Sequence, residues 1–123
     1  MIRLSAALAL LLLPHVGCTE KESPPMFRGE EVLAAVLENE DTKNHAKVTD
    51  RRELGKMFDG FSLIKKRPCE CAYGRTAELR TAESIIQVSL CGHCFDILDE
   101  GSVEHYRMPK AFFEEFERRL PSE

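Results

Sequence analysis

The chain contains no tryptophan and only two tyrosines in 123 residues. Flat aromatic platforms on which bases or sugar rings stack are therefore scarce. Basic charge is not in excess either: 17 Lys and Arg face 21 Asp and Glu, for a net charge of −4. That excludes the concentrated positive surface on which nucleic-acid affinity rests. The apolar run Leu4–Leu13 has ten residues, whereas a membrane-spanning helix needs about 20. There is no internal repeat, no low-complexity tract, no Gly-rich phosphate loop and no nucleophile elbow. The chain is 43% hydrophobic and 31% charged, which fits a folded protein rather than a disordered one, and its length allows one domain.

What the chain does have is cysteine, five residues of it, and an N-terminal segment with the order of an export signal. Arg3 supplies a positive charge, Leu4–Leu13 an apolar core, Pro14 a break, and Val16-Gly17-Cys18 a small-residue end. That order of charge, apolar run and cleavage site is the layout of a secretory leader. Val16-Gly17-Cys18 resembles a bacterial lipobox, with His15 standing where that motif usually has leucine. The resemblance implies cleavage before Cys18 and lipid attachment to it, hence membrane anchoring through more than one acyl chain. The alternative is an ordinary signal-peptidase cut near the same place. Counting favours lipid: with Cys18 acylated, the remaining four cysteines are an even set. The expected organisation is a signal peptide over 1–17, a lipid-anchored tether over 18–28 and a single domain over 29–123. Thr19–Pro25 is polar and proline-terminated, with nothing to bury.

The pattern over the domain predicts an α+β fold, a small antiparallel sheet built around hairpins and covered by two or three helices. Glu30–Asn39 is rich in helix formers, with Val32, Leu33, Val36 and Leu37 in one helical stripe, although its alternation also fits a strand. Glu40–Asn44 reads as a turn. Asp50 and Glu53 read as a capping box opening a helix through Phe58, stopped by Asp59-Gly60. Ala72–Arg80 and Ser84–Leu90 read as strands around a turn at Thr81–Glu83. Phe95–Leu98 and Val103–Arg107 read as a second hairpin around Asp99–Ser102. Pro109 opens a final helix in which Phe112, Phe116 and Leu120 recur at core spacing.

The chemically loaded residues are Cys69-Glu70-Cys71 and Cys91-Gly92-His93-Cys94, with nineteen residues between Cys71 and Cys91. A hairpin turn centred near Ala82 sets Cys71 opposite His93 and Cys69 opposite Phe95, so all four sulfurs meet at its open end. Three chemistries follow. The first is two structural disulfides, suited to a small exported domain, and nested pairing of Cys69 with Cys94 and Cys71 with Cys91 fits the ladder best. The second is one tetrahedral zinc ion held by the same four cysteines, with His93 as an accessory ligand and Gly92 bending the chain. The third is thiol–disulfide exchange. Cys91-Gly92-His93-Cys94 resembles the active-site tetrapeptide of protein disulfide isomerases, which implies a reactive, oxidising pair. That family, however, sets its motif at the start of a long helix in a thioredoxin-like domain.

The resulting expectation is a bacterial lipoprotein of the cell envelope, facing the periplasm or exterior, stapled by disulfides and non-catalytic. It meets the membrane through lipid, binds a protein partner and no nucleic acid, and carries no cofactor. A zinc protein and a thiol–disulfide oxidoreductase are the alternatives.

Overall fold

A computed structural model describes residues 23–71 and 74–121. The leader, Cys18 and most of the tether lie outside these residues, as do Ala72 and Tyr73. The fold is α+β, with ten elements in chain order among the described residues. They are β1 (Met26–Phe27), β2 (Glu30–Glu31), β3 (Ala34–Asn39), β4 (Asn44–Val48), α1 (Arg51–Met57), β5 (Arg75–Arg80), β6 (Ile85–Leu90), β7 (Cys94–Asp99), β8 (Ser102–Arg107) and α2 (Lys110–Arg119). Strands β1 and β2 form a small hairpin. The other six form one sheet in the order β4-β3-β5-β6-β7-β8, antiparallel at every pairing.

Alternation along each strand sorts the sheet into two faces. Ala35, Leu37, Ala77, Leu79, Val88, Leu90, Phe95 and Ile97 are buried on one face, where they join Leu54 and Met57 of α1 and Phe112 and Phe116 of α2. Five phenylalanines form the centre of this core. The Phe95 and Phe112 rings meet edge to face at 5.2 Å, Phe58 meets Phe112 at 5.7 Å, and Phe61 lies 5.6 Å from both Phe27 and Phe95. The expected stripe of Phe112, Phe116 and Leu120 is wholly buried.

The structure decides one reading that the sequence leaves open and shifts one boundary. Glu30–Asn39 is not a helix but β2 followed by β3, the latter paired on both sides, with β4 and with β5. Helix propensity is a weak prior, worth a few tenths of a kcal/mol per residue; two rows of ladder hydrogen bonds and the burial of Ala35 and Leu37 outweigh it. The folded part also begins earlier than residue 29. Phe27 is buried at 1% exposure in the core, and the Val32 N–H donates to the Pro25 carbonyl at 2.8 Å, so the end of the expected tether belongs to the domain.

The turns follow local chemistry. Glu100 and Gly101 both have positive φ, 40° and 87°, the conformation of a two-residue hairpin turn whose twist matches the flanking strands. The buried Asn39 side chain accepts from the Asp41 and Thr42 N–H groups at 3.0 and 3.3 Å, which shapes the β3–β4 turn. Asp50 caps α1, accepting from the Arg52 and Glu53 N–H groups at 2.9 and 3.1 Å. Only this half of the expected box forms as read. The Glu53 carboxylate instead turns to α2 and accepts from Arg119 at 2.5 Å.

Candidate functional site: the four-cysteine cluster

The cluster is built from two pieces of chain. The first is the end of the β6–β7 hairpin. The Cys91 N–H donates to the Cys94 carbonyl at 3.1 Å, next to the Leu90–Phe95 pair of the ladder. Gly92 and His93 are thus the two loop residues, both exposed, and the Met108 N–H donates to the His93 carbonyl at 3.1 Å. The second piece is the strap from Ile64 to Cys71. It begins as a short extension of the sheet along the outer edge of β8. Arg107 donates to the Ile64 carbonyl at 2.8 Å and Lys66 to the His105 carbonyl at 3.0 Å. Lys65 sits over the Tyr106 ring at 5.7 Å. Because Phe95 and Ile97 point into the helix-covered core, Cys94 and Asp96 lie on the opposite face.

Two disulfides join the pieces: Cys69 with Cys94, Cα atoms 6.1 Å apart, and Cys71 with Cys91, 6.4 Å apart. These are the nested pairs expected from sequence, reached by a different register. The Thr81–Ser84 turn places Ala82 and Glu83 at its tip, and the ladder runs from Arg80–Ile85 to Arg75–Leu90. This is shifted by one residue from the expected alignment, and it ends before the cysteines. Cys71 does not face His93 across a ladder, nor does Cys69 face Phe95, whose partners are Leu90 and Tyr106. The strap, not the ladder, delivers Cys69 and Cys71. Cys91 and Cys94 are buried at 2% and 0% exposure, whereas Cys69 and Cys71 are partly exposed. The sulfurs of Cys69, Cys91 and Cys94 all lie within 4.8 Å of one another. The Cys94 sulfur is 3.9 Å from the Arg67 carbonyl oxygen.

Beside the cluster on the same face is a group that sequence reading passed over. Asp96 is 4% exposed. One of its oxygens, Oδ2, lies 3.0 Å from His105 Nδ1, while the other, Oδ1, is buried without a partner among the described residues. Register places Ser89, Asp96 and His105 in one row across β6, β7 and β8. The signal was present in the sequence as a carboxylate inside the apolar run Phe95-Asp96-Ile97-Leu98. His45, on β4, lies opposite Glu38 at the far side of the sheet.

A groove of ≈ 500 Å³ lined by Pro24, Pro25, Arg51, Gly55, Phe58 and Gly60 contains none of the cysteines. No protein-family model matches the chain, and comparison with curated proteins and with solved structures gives no match.

Proposed function

We propose that this chain is a lipid-anchored protein of the bacterial cell envelope. Its α+β domain, stapled by two disulfides, serves as a non-catalytic binding or scaffolding module for a protein partner. The observation that carries this reading is the pairing of Cys69 with Cys94 and of Cys71 with Cys91. Disulfides persist where the surroundings are oxidising, which agrees with an export leader ending at Cys18. The pairing also uses each cysteine of Cys91-Gly92-His93-Cys94 in a separate cross-link to the strap. A redox-active pair of that spacing joins its own two cysteines and sits at a helix N-terminus, whereas these two flank a hairpin loop. The sheet face away from the helices exposes Ile85, Leu98 and Val103 at 59%, 45% and 45%, apolar surface of the kind protein partners cover.

Fractionation of cells expressing the wild-type chain and Cys18→Ser tests the anchoring. The wild type is expected in membranes and labelled by radioactive fatty acid, and the variant soluble and unlabelled. A soluble wild-type protein starting at Thr19 overturns lipid attachment. A Cys91–Cys94 pair that turns over disulfide substrates overturns the non-catalytic role.

A further inference from the structure

Opening both disulfides would leave three thiols in one place and that of Cys71 beside Cys91, on backbone that is also held by hydrogen bonds. Cys91 and Cys94 are fixed by the closed hairpin turn, and the strap is fixed to β8 by the Ile64 and Lys66 hydrogen bonds. A zinc ion bound tetrahedrally by four thiolates has Zn–S bonds of about 2.3 Å, which places its sulfurs about 3.8 Å apart. The sulfurs of Cys69, Cys91 and Cys94 already lie within 4.8 Å of one another. Cys71, bonded to Cys91, lies outside this set of three, so it reaches the fourth position only by a shift of the strap once the disulfides open. Two of the four positions are buried, where a thiolate without a compensating charge is costly and a divalent cation supplies it. A tetrathiolate zinc centre carries a net charge of −2. Lys65, Lys66 and Arg67 precede Cys69 in the chain, and Arg107 is the cross-strand partner of Cys94.

We infer that the reduced protein binds one Zn²⁺ through Cys69, Cys71, Cys91 and Cys94, so that the cluster has two mutually exclusive closed states. In one, the strap is held by two disulfides; in the other, by metal. A dithiol reductant passes two electrons and two protons to each disulfide and is itself oxidised to a cyclic disulfide. Zn²⁺ then replaces the four thiol protons, which leave to the buffer. The reverse step is exchange with two equivalents of oxidised dithiol, one for each bond; each is reduced to the dithiol with two protons from the buffer, both protein disulfides re-form, and the metal is released. The inference is independent of lipid anchoring and of the compartment, and needs only the cluster.

The test uses the full chain carrying Cys18→Ser, which keeps the fifth thiol out of the titration. It is reduced under inert gas and titrated with Co²⁺, then with Zn²⁺. The expected result is one Co²⁺ per chain, with the charge-transfer and strong visible bands of tetrahedral thiolate coordination. Those bands disappear when one equivalent of Zn²⁺ is added, and they do not form with the oxidised protein. Cys71→Ser should weaken binding by roughly tenfold or more, since even loss of a group hydrogen-bonded to a ligand costs about 10–100-fold. His93→Ala should leave the bands unchanged. If the reduced chain has lost its circular dichroism, Zn²⁺ restores it. Reduced protein that gives no thiolate bands, or that stays unfolded with Zn²⁺ present, overturns the site. Bands that survive Cys71→Ser but not His93→Ala overturn the ligand set.

Discussion

Cys91 and Cys94 face each other across the mouth of a hairpin, the amide of the first donating to the carbonyl of the second at 3.1 Å. This hydrogen bond decides what the motif between them can do. At a helix N-terminus, two cysteines at this spacing share a field that lowers the first thiol's pKa, and their sulfurs meet each other. At the end of a hairpin they are held by the strands on either side and turn outward to a third segment, the strap. The strap is pinned along β8 before it reaches them, with the Arg107 N–H donating to the Ile64 carbonyl at 2.8 Å and the Lys66 N–H to the His105 carbonyl at 3.0 Å. The cross-links therefore close a gap between two pieces of structure that are already ordered.

Nesting makes the two disulfides unequal to the sum of their loops. They span sequence separations of 25 and 20 residues, worth about 3 kcal/mol each by chain entropy when taken alone. Once one is closed, however, the second closes only a small ring. Replacing Cys69 and Cys94 together by Ala, or Cys71 and Cys91 together, should each cost roughly 2–3 kcal/mol. Losing all four should cost more than either pair but less than twice the single-loop value. Urea denaturation of the three variants measures this, with non-reducing peptide mapping of the wild type to confirm the pairs. A Cys91–Cys94 peptide in that map contradicts the arrangement.

How far the sequence could be read follows from where the controlling contacts lie. The hairpins Arg75–Leu90 and Cys94–Arg107, the cap at Asp50 and the stripe Phe112-Phe116-Leu120 are specified by neighbours in sequence, and alternation or helical spacing found them. Glu30–Asn39 stays open between helix and strand in the sequence because β3 is set by distant partners: its propensity is local, but the β4 and β5 ladders that override it are not. The cysteine pairs were legible because their order along the chain allows one nested closure around a central hairpin. The alignment that suggested them was nevertheless one residue out, since Thr81–Ser84 centres its turn between Ala82 and Glu83 rather than on Ala82. Asp96 needed the fold. Only the register across β6, β7 and β8 shows that this carboxylate is buried beside His105.

The aromatic centre should be the most sensitive part of the core. Phe112 is 0% exposed and touches the rings of Phe58, Phe61 and Phe95. Phe112→Ala should cost about 3–5 kcal/mol. Phe113→Ala, one residue along and only partly buried, should cost clearly less. Thermal denaturation of both variants is the check, and equal losses would mean that α2 does not dock through the face described.

Asp96 and His105 should respond asymmetrically. His105 side-chain exposure is 25% and that of Asp96 is 6%. His105→Ala removes the imidazole that Asp96 Oδ2 approaches at 3.0 Å and leaves the buried side chain with no polar neighbour at that oxygen, a loss of about 1–3 kcal/mol. Asp96→Asn removes the charge and keeps the shape, so it should cost less, and in the double variant the penalty of His105→Ala should shrink. A double-mutant cycle by chemical denaturation reads the coupling. Additive effects would show that the 3.0 Å approach carries no energy.

The packing of α1 against α2 carries a pH dependence of predictable sign. Glu53 is pulled down from 4.5 to about 2, first by the hydrogen bond from Arg119 and then by that from Lys56. Glu115, which accepts from Arg118 at 2.8 Å, is also lowered. A carboxyl whose pKa falls on folding stabilises the folded state when ionised. Its contribution is therefore complete above about pH 4.5 and disappears as the pH drops toward 2. Glu53→Gln should lower the melting temperature at neutral pH, and the gap from wild type should close steadily as the pH is taken from about 5 to about 2. Added salt should narrow the gap at neutral pH, because these groups are solvent-facing and screened. Melting curves of the two proteins across that range decide the matter. A gap that stays constant at every pH would assign the loss to packing rather than to the ionised carboxylate and would remove Glu53 as the electrostatic link between the helices.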